Sequence, residues 1–317
     1  MEPMPSPVSI PFLRPAALRA GYSDNEIRRL RRNGTWASVR RGSYLPTGQL
    51  QLLDDNQRHE LLVRSTIPGL RNPAVVSHTS AAVLHGIPLW STHLGLVHVT
   101  RPQPANGGRS GSLLCHTAAL PDGDIAVVGD IRITTPARTI ADLARLLPFE
   151  QAVVAADGAL HKKLMTSAQL LDAAKGISGA PGSRSAIRVA RFASGFSESV
   201  GESRSRVMMY VAALPRPILQ LDVHDIWGRK LGRSDYSWHG GRLLGEFDGK
   251  IKYGRLLKPD ESPGDAVFKE KLREDALRDN GSRVVRWVWA ELGQPHIVIE
   301  RIWRAYASVR REIERGR

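Results

Sequence analysis

The run Asp235-Tyr-Ser-Trp-His-Gly-Gly-Arg-Leu-Leu-Gly-Glu246-Phe-Asp248-Gly-Lys250 reads as two short strands joined at Gly240-Gly241. Gly-Gly favours a two-residue hairpin turn, because both central positions take positive φ. A turn there pairs His239 with Arg242, and counting outward sets Asp235 opposite Glu246. Directly opposed cross-strand residues have Cβ atoms roughly 5 Å apart, and like charges so placed repel. Side chains alternate with period two, so Asp248 and Lys250 share the face of Glu246. Three carboxylates crowded on one face call for a compensating charge, and a divalent cation with oxygen ligands supplies one. The plainer alternative is an edge strand bearing solvated acids opposite lysines.

Working outward from the hairpin, the spacing predicts a helix over 199–211 and a strand over 218–224. A polar loop over 254–265 follows the ribbon. Then come a helix over 267–280 stopped by Gly281, a strand over 283–289 and an amphipathic helix from Pro295. Trp287 and Trp289 alternate with Val288 and read as core.

This order resembles the restriction-endonuclease-like, PD-(D/E)XK class, in particular the Vsr-like domains related to very-short-patch-repair endonucleases. The matching residues are Glu202, Asp235, Glu246-Phe-Asp248-Gly249, Glu270-Lys271-Leu-Arg273-Glu274 and Arg283-Val-Val-Arg286-Trp287, spread over about 195–312. The resemblance implies that Asp235 and Glu246 hold Mg²⁺, with Mn²⁺ able to substitute, for phosphodiester hydrolysis. Asp248, Lys250 and Glu202 would complete the catalytic set. Lys252, Arg273 and Arg286 would contact phosphates. The chain departs from the pattern where the usual lysine, two positions after the second acid, is Asp248, and where the zinc cysteines of true repair endonucleases are absent.

The first 50 residues read as two helices and a basic hairpin. Ser23-Asp-Asn-Glu26 is a capping box, and the helix behind it stops at Asn33-Gly34. Ile27 and Leu30 face one side, while Arg28, Arg29, Arg31 and Arg32 cover the rest. Trp36 to Pro46 alternates around a turn carrying Arg40 and Arg41. Two helices, a tight turn and a basic wing describe a winged helix-turn-helix that lays its arginine helix in the major groove. A solvated basic helix is the other reading.

Farther on, Val76-Ser-His78-Thr-Ser80 to His85-Gly86, Val97 to Pro102 and Ile133-Thr-Thr135-Pro136-Ala-Arg138 to Asp142 follow. Together with the N-terminal unit they resemble AbiEi-type antitoxins over roughly 10–175. That resemblance implies DNA binding, repression of the protein's own operon and a nucleotidyltransferase-like toxin as partner. From the residues alone, Thr135-Pro136 opens a helix, an Arg138–Asp142 pair bridges one turn of it, and His78 and His85 serve packing and capping.

The net charge is +14 over 317 residues. Splitting the chain at 50 and 194 gives +5, +4 and +5, so the excess runs along the whole molecule. Such a balance favours nucleic acid as a partner. The single cysteine, Cys115, excludes a disulfide framework or a cysteine-based zinc site and fits a cytoplasmic protein. No signal peptide or membrane span is expected; a homo-oligomer is left open. The fold class that follows is multidomain α+β. It comprises a winged helix-turn-helix over 1–50, an α/β middle domain over 51–178, a linker over 179–196 and a restriction-endonuclease-like α/β domain over 197–317. Two functions compete: a Mg²⁺-dependent DNA endonuclease in a defence setting, and a DNA-binding autoregulator whose nuclease-like domain is inactive.

Overall fold

The computed structural model describes residues 11–70, 74–102, 107–249 and 263–316. They form a mixed α/β chain with three sheets, divided into two compact units: 1–155 with 164–192, and 156–163 with 193–317. Among the described residues no helix is long and apolar enough to cross a membrane.

The first unit opens with β1 (Phe12–Leu13), α1 (Arg14–Arg19), α2 (Asp24–Arg32), β2 (Trp36–Arg40) and β3 (Ser43–Pro46), the strands ordered β1-β3-β2. The capping box forms as expected: Ser23 Oγ accepts from Glu26 N–H, and the Glu26 carboxylate accepts from Ser23 N–H at 2.8 Å. Gly42 takes φ +80 at the β2–β3 turn, where only glycine is at ease. Ala17, Ile27, Trp36 and Tyr44 make a small core.

Then follow α3 (Thr47–Gln51), α4 (Asp55–Thr66), β4 (Val75–Val76), α5 (His78–Leu84), β5 (Val97–Arg101), β6 (Gly108–Ser110), β7 (Leu113–Thr117), β8 (Ile125–Val128), β9 (Ile131–Thr134) and α6 (Pro136–Leu146). The strands form one sheet ordered β6-β7-β5-β4-β9-β8. Thr135 caps α6 with Pro136 behind it, and Arg138 reaches Asp142 at 3.0 Å, both as expected. The pair is buried, and Asp124 takes the other end of the guanidinium at 2.7 Å. Helix α7 (Phe149–His161) contributes its first half to this unit and its end to the other. Helices α8 (Ser167–Gly176) and α9 (Ser183–Phe192) complete the unit by packing on α6.

Residues 11–50 belong to the same compact unit as the middle segment, because β2 packs on α4 and Arg40 donates to the Ser65 carbonyl at 2.8 Å. Within 179–196, residues 183–192 form α9, whose Ala186, Val189 and Ala190 are buried.

The second unit contains α10 (Val200–Val211), β10 (Ile218–His224), β11 (Lys230–Trp238), β12 (Leu243–Asp248), α11 (Pro263–Asp279), β13 (Arg283–Val288) and α12 (Pro295–Arg315). The sheet runs β10-β11-β12-β13, with β12 and β13 parallel. Tyr236, Trp238, Leu243, Phe247, Val285 and Trp287 form one apolar face, packed with Met209 of α10 and Val298, Ile302 and Val309 of α12. The ring heteroatoms are satisfied inside it: Tyr236 OH donates to the Glu202 carbonyl and Trp287 Nε1 to Ser205 Oγ, each at 2.8 Å. Gly245 makes room for Trp287, since a Cβ there would lie 2.9 Å from its ring. The opposite face buries Val223 and Leu244 against Leu277 of α11.

Candidate functional site

The ribbon has the register its sequence predicts: Tyr236 pairs with Gly245, Ser237 with Leu244 and Trp238 with Leu243. Gly240 and Gly241 take φ +65 and +94, and Arg242 N–H reaches the His239 carbonyl at 3.4 Å. Ladder pairing between β11 and β12 stops at Tyr236 and Gly245, while β12 continues beside β13 to Asp248. Asp235 and Glu246 therefore stand one step beyond the last pair, where the strands part.

Asp235 closes the gap left by the ladder. Its Oδ2 accepts from the Phe247 N–H at 2.9 Å, in place of a backbone carbonyl. Gln220 joins it to Glu202, donating to Glu202 Oε2 at 3.0 Å and, at a longer 3.5 Å, toward Asp235 Oδ1. Glu202 also accepts from the Glu198 N–H and the Ser199 hydroxyl at the start of α10. Burial, then the Asp235 charge, pushes the Glu202 carboxyl above its usual range.

Glu246 has different neighbours. Arg273 of α11 donates Nη2 to both of its oxygens at 2.9 Å, and Arg286 of β13 lies 3.0 Å from Oε2. Arg286 continues to Glu274 at 3.2 Å. Gly232 opens the path for Arg273, whose Cδ would be 3.2 Å from a Cβ there. Glu246 is buried and both of its oxygens face guanidinium groups. Two fixed positive charges stand where a cation would need to sit, so the arrangement does not fit Mg²⁺. Gln220 brings Asp235 and Glu202 together, while the Glu246 oxygens are taken up by the arginines. Among the described residues, one set of three candidate ligands has its donor atoms all within 4.8 Å of one another: His78, His98 and His116.

Arg273 and Arg286, the expected phosphate contacts, both pair with Glu246, because α11 and β13 lie close to one face of β12. Asp248 ends β12, half-buried and level with Val288. Lys250 and Lys252 lie outside the described residues. In the first unit Arg28, Arg29, Arg31 and Arg32 are exposed on α2, with Ile27 buried beneath. Arg41 is exposed at the turn. Arg40, expected to reach phosphate from the wing, is instead half-buried and tied to Ser65.

Sequence reasoning did not find Gln220 or the histidine cluster. Gln220 carries φ +52, a conformation no sequence rule assigns to glutamine in a strand. The alternation of His98 and of His116 within short apolar runs was the available signal for the cluster, but joining the runs needs the β5–β7 register.

No family model matches the chain. Two relatives in Mycobacterium tuberculosis, the uncharacterized proteins MT2308 (strain CDC 1551 / Oshkosh) and Rv2248 (strain H37Rv), are each 32% identical over 115 residues, 36% of this chain. The chain spans 42% of the length of these relatives. The crystal structure of the RV2827C protein from Mycobacterium tuberculosis is similar at a TM-score of 0.39 and 14% identity, covering 67% of this chain and 79% of that one.

Proposed function

We propose that the chain is a DNA-binding regulator of AbiEi antitoxin type, acting in the cytoplasm, whose second unit is a restriction-endonuclease-like scaffold without hydrolytic activity. The observation that carries the reading is the engagement of both Glu246 oxygens by Arg273, with Arg286 alongside. A carboxylate so paired has spent its charge inside the protein. The exposed arginines of α2, beside a β2–β3 turn presenting Arg41, support winged-helix docking on duplex DNA. A nucleotidyltransferase-like toxin is the partner this reading implies.

The test uses the full chain. Fluorescence anisotropy with duplex from its own promoter should show binding that weakens steeply with salt. Supercoiled plasmid and single-stranded DNA incubated with Mg²⁺ or Mn²⁺ should remain intact. Cutting that disappears in Asp235→Ala would replace this reading with a nuclease, and absence of salt-dependent binding would remove DNA from it.

A further inference from the structure

Helix α5 and strands β5 and β7 bring three imidazoles together on one side of the six-stranded sheet. The parallel register sets Thr100 beside His116 and His98 beside Leu114, so His98 and His116 share a face two positions apart. His98 Nδ1 and His116 Nε2 lie 3.0 Å apart, and the His78 ring stacks on His116 with centroids 3.8 Å apart. His78 is buried and the other two are half-buried.

We propose that His78, His98 and His116 form a transition-metal site of the three-histidine kind, taking Zn²⁺ or Co²⁺ with water or an anionic oxygen in the fourth position. Three imidazoles suit zinc, cobalt, nickel or copper and not the hard cations Mg²⁺ and Ca²⁺. Three protein ligands with one open position is the arrangement of reactive rather than structural zinc. This site is independent of the acidic residues of the second unit.

Three observations support it. First, the outer hydrogen bonds are in place. Thr100 donates to Ser77 Oγ at 2.8 Å, and Ser77 Oγ lies 2.9 Å from His78 Nδ1. In the tautomer that gives Nδ1–H to Ser77, the His78 Nε2 lone pair is available for a metal, and such outer hydrogen bonds set the tautomer around bound metals.

Second, His78 has φ +52, a left-handed backbone at a non-glycine residue, and such strain concentrates at functional positions. Third, His78 and His116 line a cavity of about 420 Å³ that also presents Asp142, Arg145, Thr100 and Thr117. An ion held by the histidines would turn its open position toward that space. Arg145, which lines the same space and reaches Asp142 at 3.4 Å, could hold a metal-bound anion.

Binding needs two local changes. The hydrogen between His98 and His116 moves to the other nitrogen of its donor ring, freeing both facing lone pairs. His78 tilts out of its stack so that its lone pair converges with theirs.

CoCl₂ titrated into the metal-free full chain, followed by visible absorption, tests the proposal. One equivalent of Co²⁺ should give the intense bands of a tetrahedral site, and ZnCl₂ should bleach them. His98→Ala and His116→Ala should each weaken Co²⁺ affinity by at least about 10-fold. Should either variant fail to fold, Ser77→Ala leaves all three ligands and should still lose about 10-fold. Zinc should raise the melting temperature of the wild type and not of the ligand variants. No cobalt bands from folded wild type, or equal affinity in the variants, overturns the site.

Discussion

Arg273 places one guanidinium nitrogen 2.9 Å from each oxygen of Glu246, and Arg286 closes on the same carboxylate from β13. Removing the acid takes the shared carboxylate from two half-buried guanidinium groups, although Arg286 keeps Glu274. Glu246→Ala should therefore destabilise the protein by roughly 2–3 kcal/mol, somewhat under the cost of breaking a fully buried pair. The denaturation midpoint followed by tryptophan fluorescence checks it. An unchanged midpoint would mean that the arginines do not depend on Glu246.

Asp157 and Arg206 form a second ion pair in the same unit, with both partners buried. Burial pushes the Asp157 carboxyl upward, against the pull of Arg206. Asp157→Ala should cost about 3–5 kcal/mol, because it strands the Arg206 charge in the interior. Urea unfolding of the variant measures the loss.

Arginines of the first unit separate by exposure. Arg28→Ala with Arg31→Ala should leave stability within about 0.5 kcal/mol of wild type. The slope of log K against log salt for duplex binding should fall by about 2. Arg40→Ala should show the converse pattern: a lower melting temperature from the lost Ser65 contact, and an unaltered slope. Identical slopes for both variants would count against α2 as the docking helix.

Stability should decline as pH falls below about 6.5. His59 hydrogen-bonds the Leu94 carbonyl and Ser80, and His85 the Thr134 carbonyl. Burial lowers both rings' proton affinity in the folded protein. The unfolded chain then binds more protons between the ordinary imidazole value and the depressed folded one, so stability is lost as pH drops through that window. Thermal melts between pH 8 and 5 check the sign. His59→Gln should flatten the profile if the ring keeps its two partners only when neutral.

Local signals in the sequence were faithful guides. Ser23 with Glu26, Thr135 with Pro136, and Gly240 with Gly241 each specify a structure within four residues, and each forms as read. The cross-strand position of Asp235 and Glu246 followed from the Gly-Gly turn by counting. Packing between elements was less legible, since a Gly-Pro-Ser stretch at 176–183 says nothing of the helix behind it packing on α6.

What the sequence by itself determined was the acidic ribbon, the basic helix and the elements that carry them, because turns, caps and alternation depend on near neighbours along the chain. The tertiary structure alone decided what answers those charges. Arg273 meets Glu246 across 27 positions, and His98 meets His116 across 18. A carboxylate takes its chemical role from whichever groups the fold sets within about 3 Å of it, and that distance is created by the packing of elements far apart in the chain.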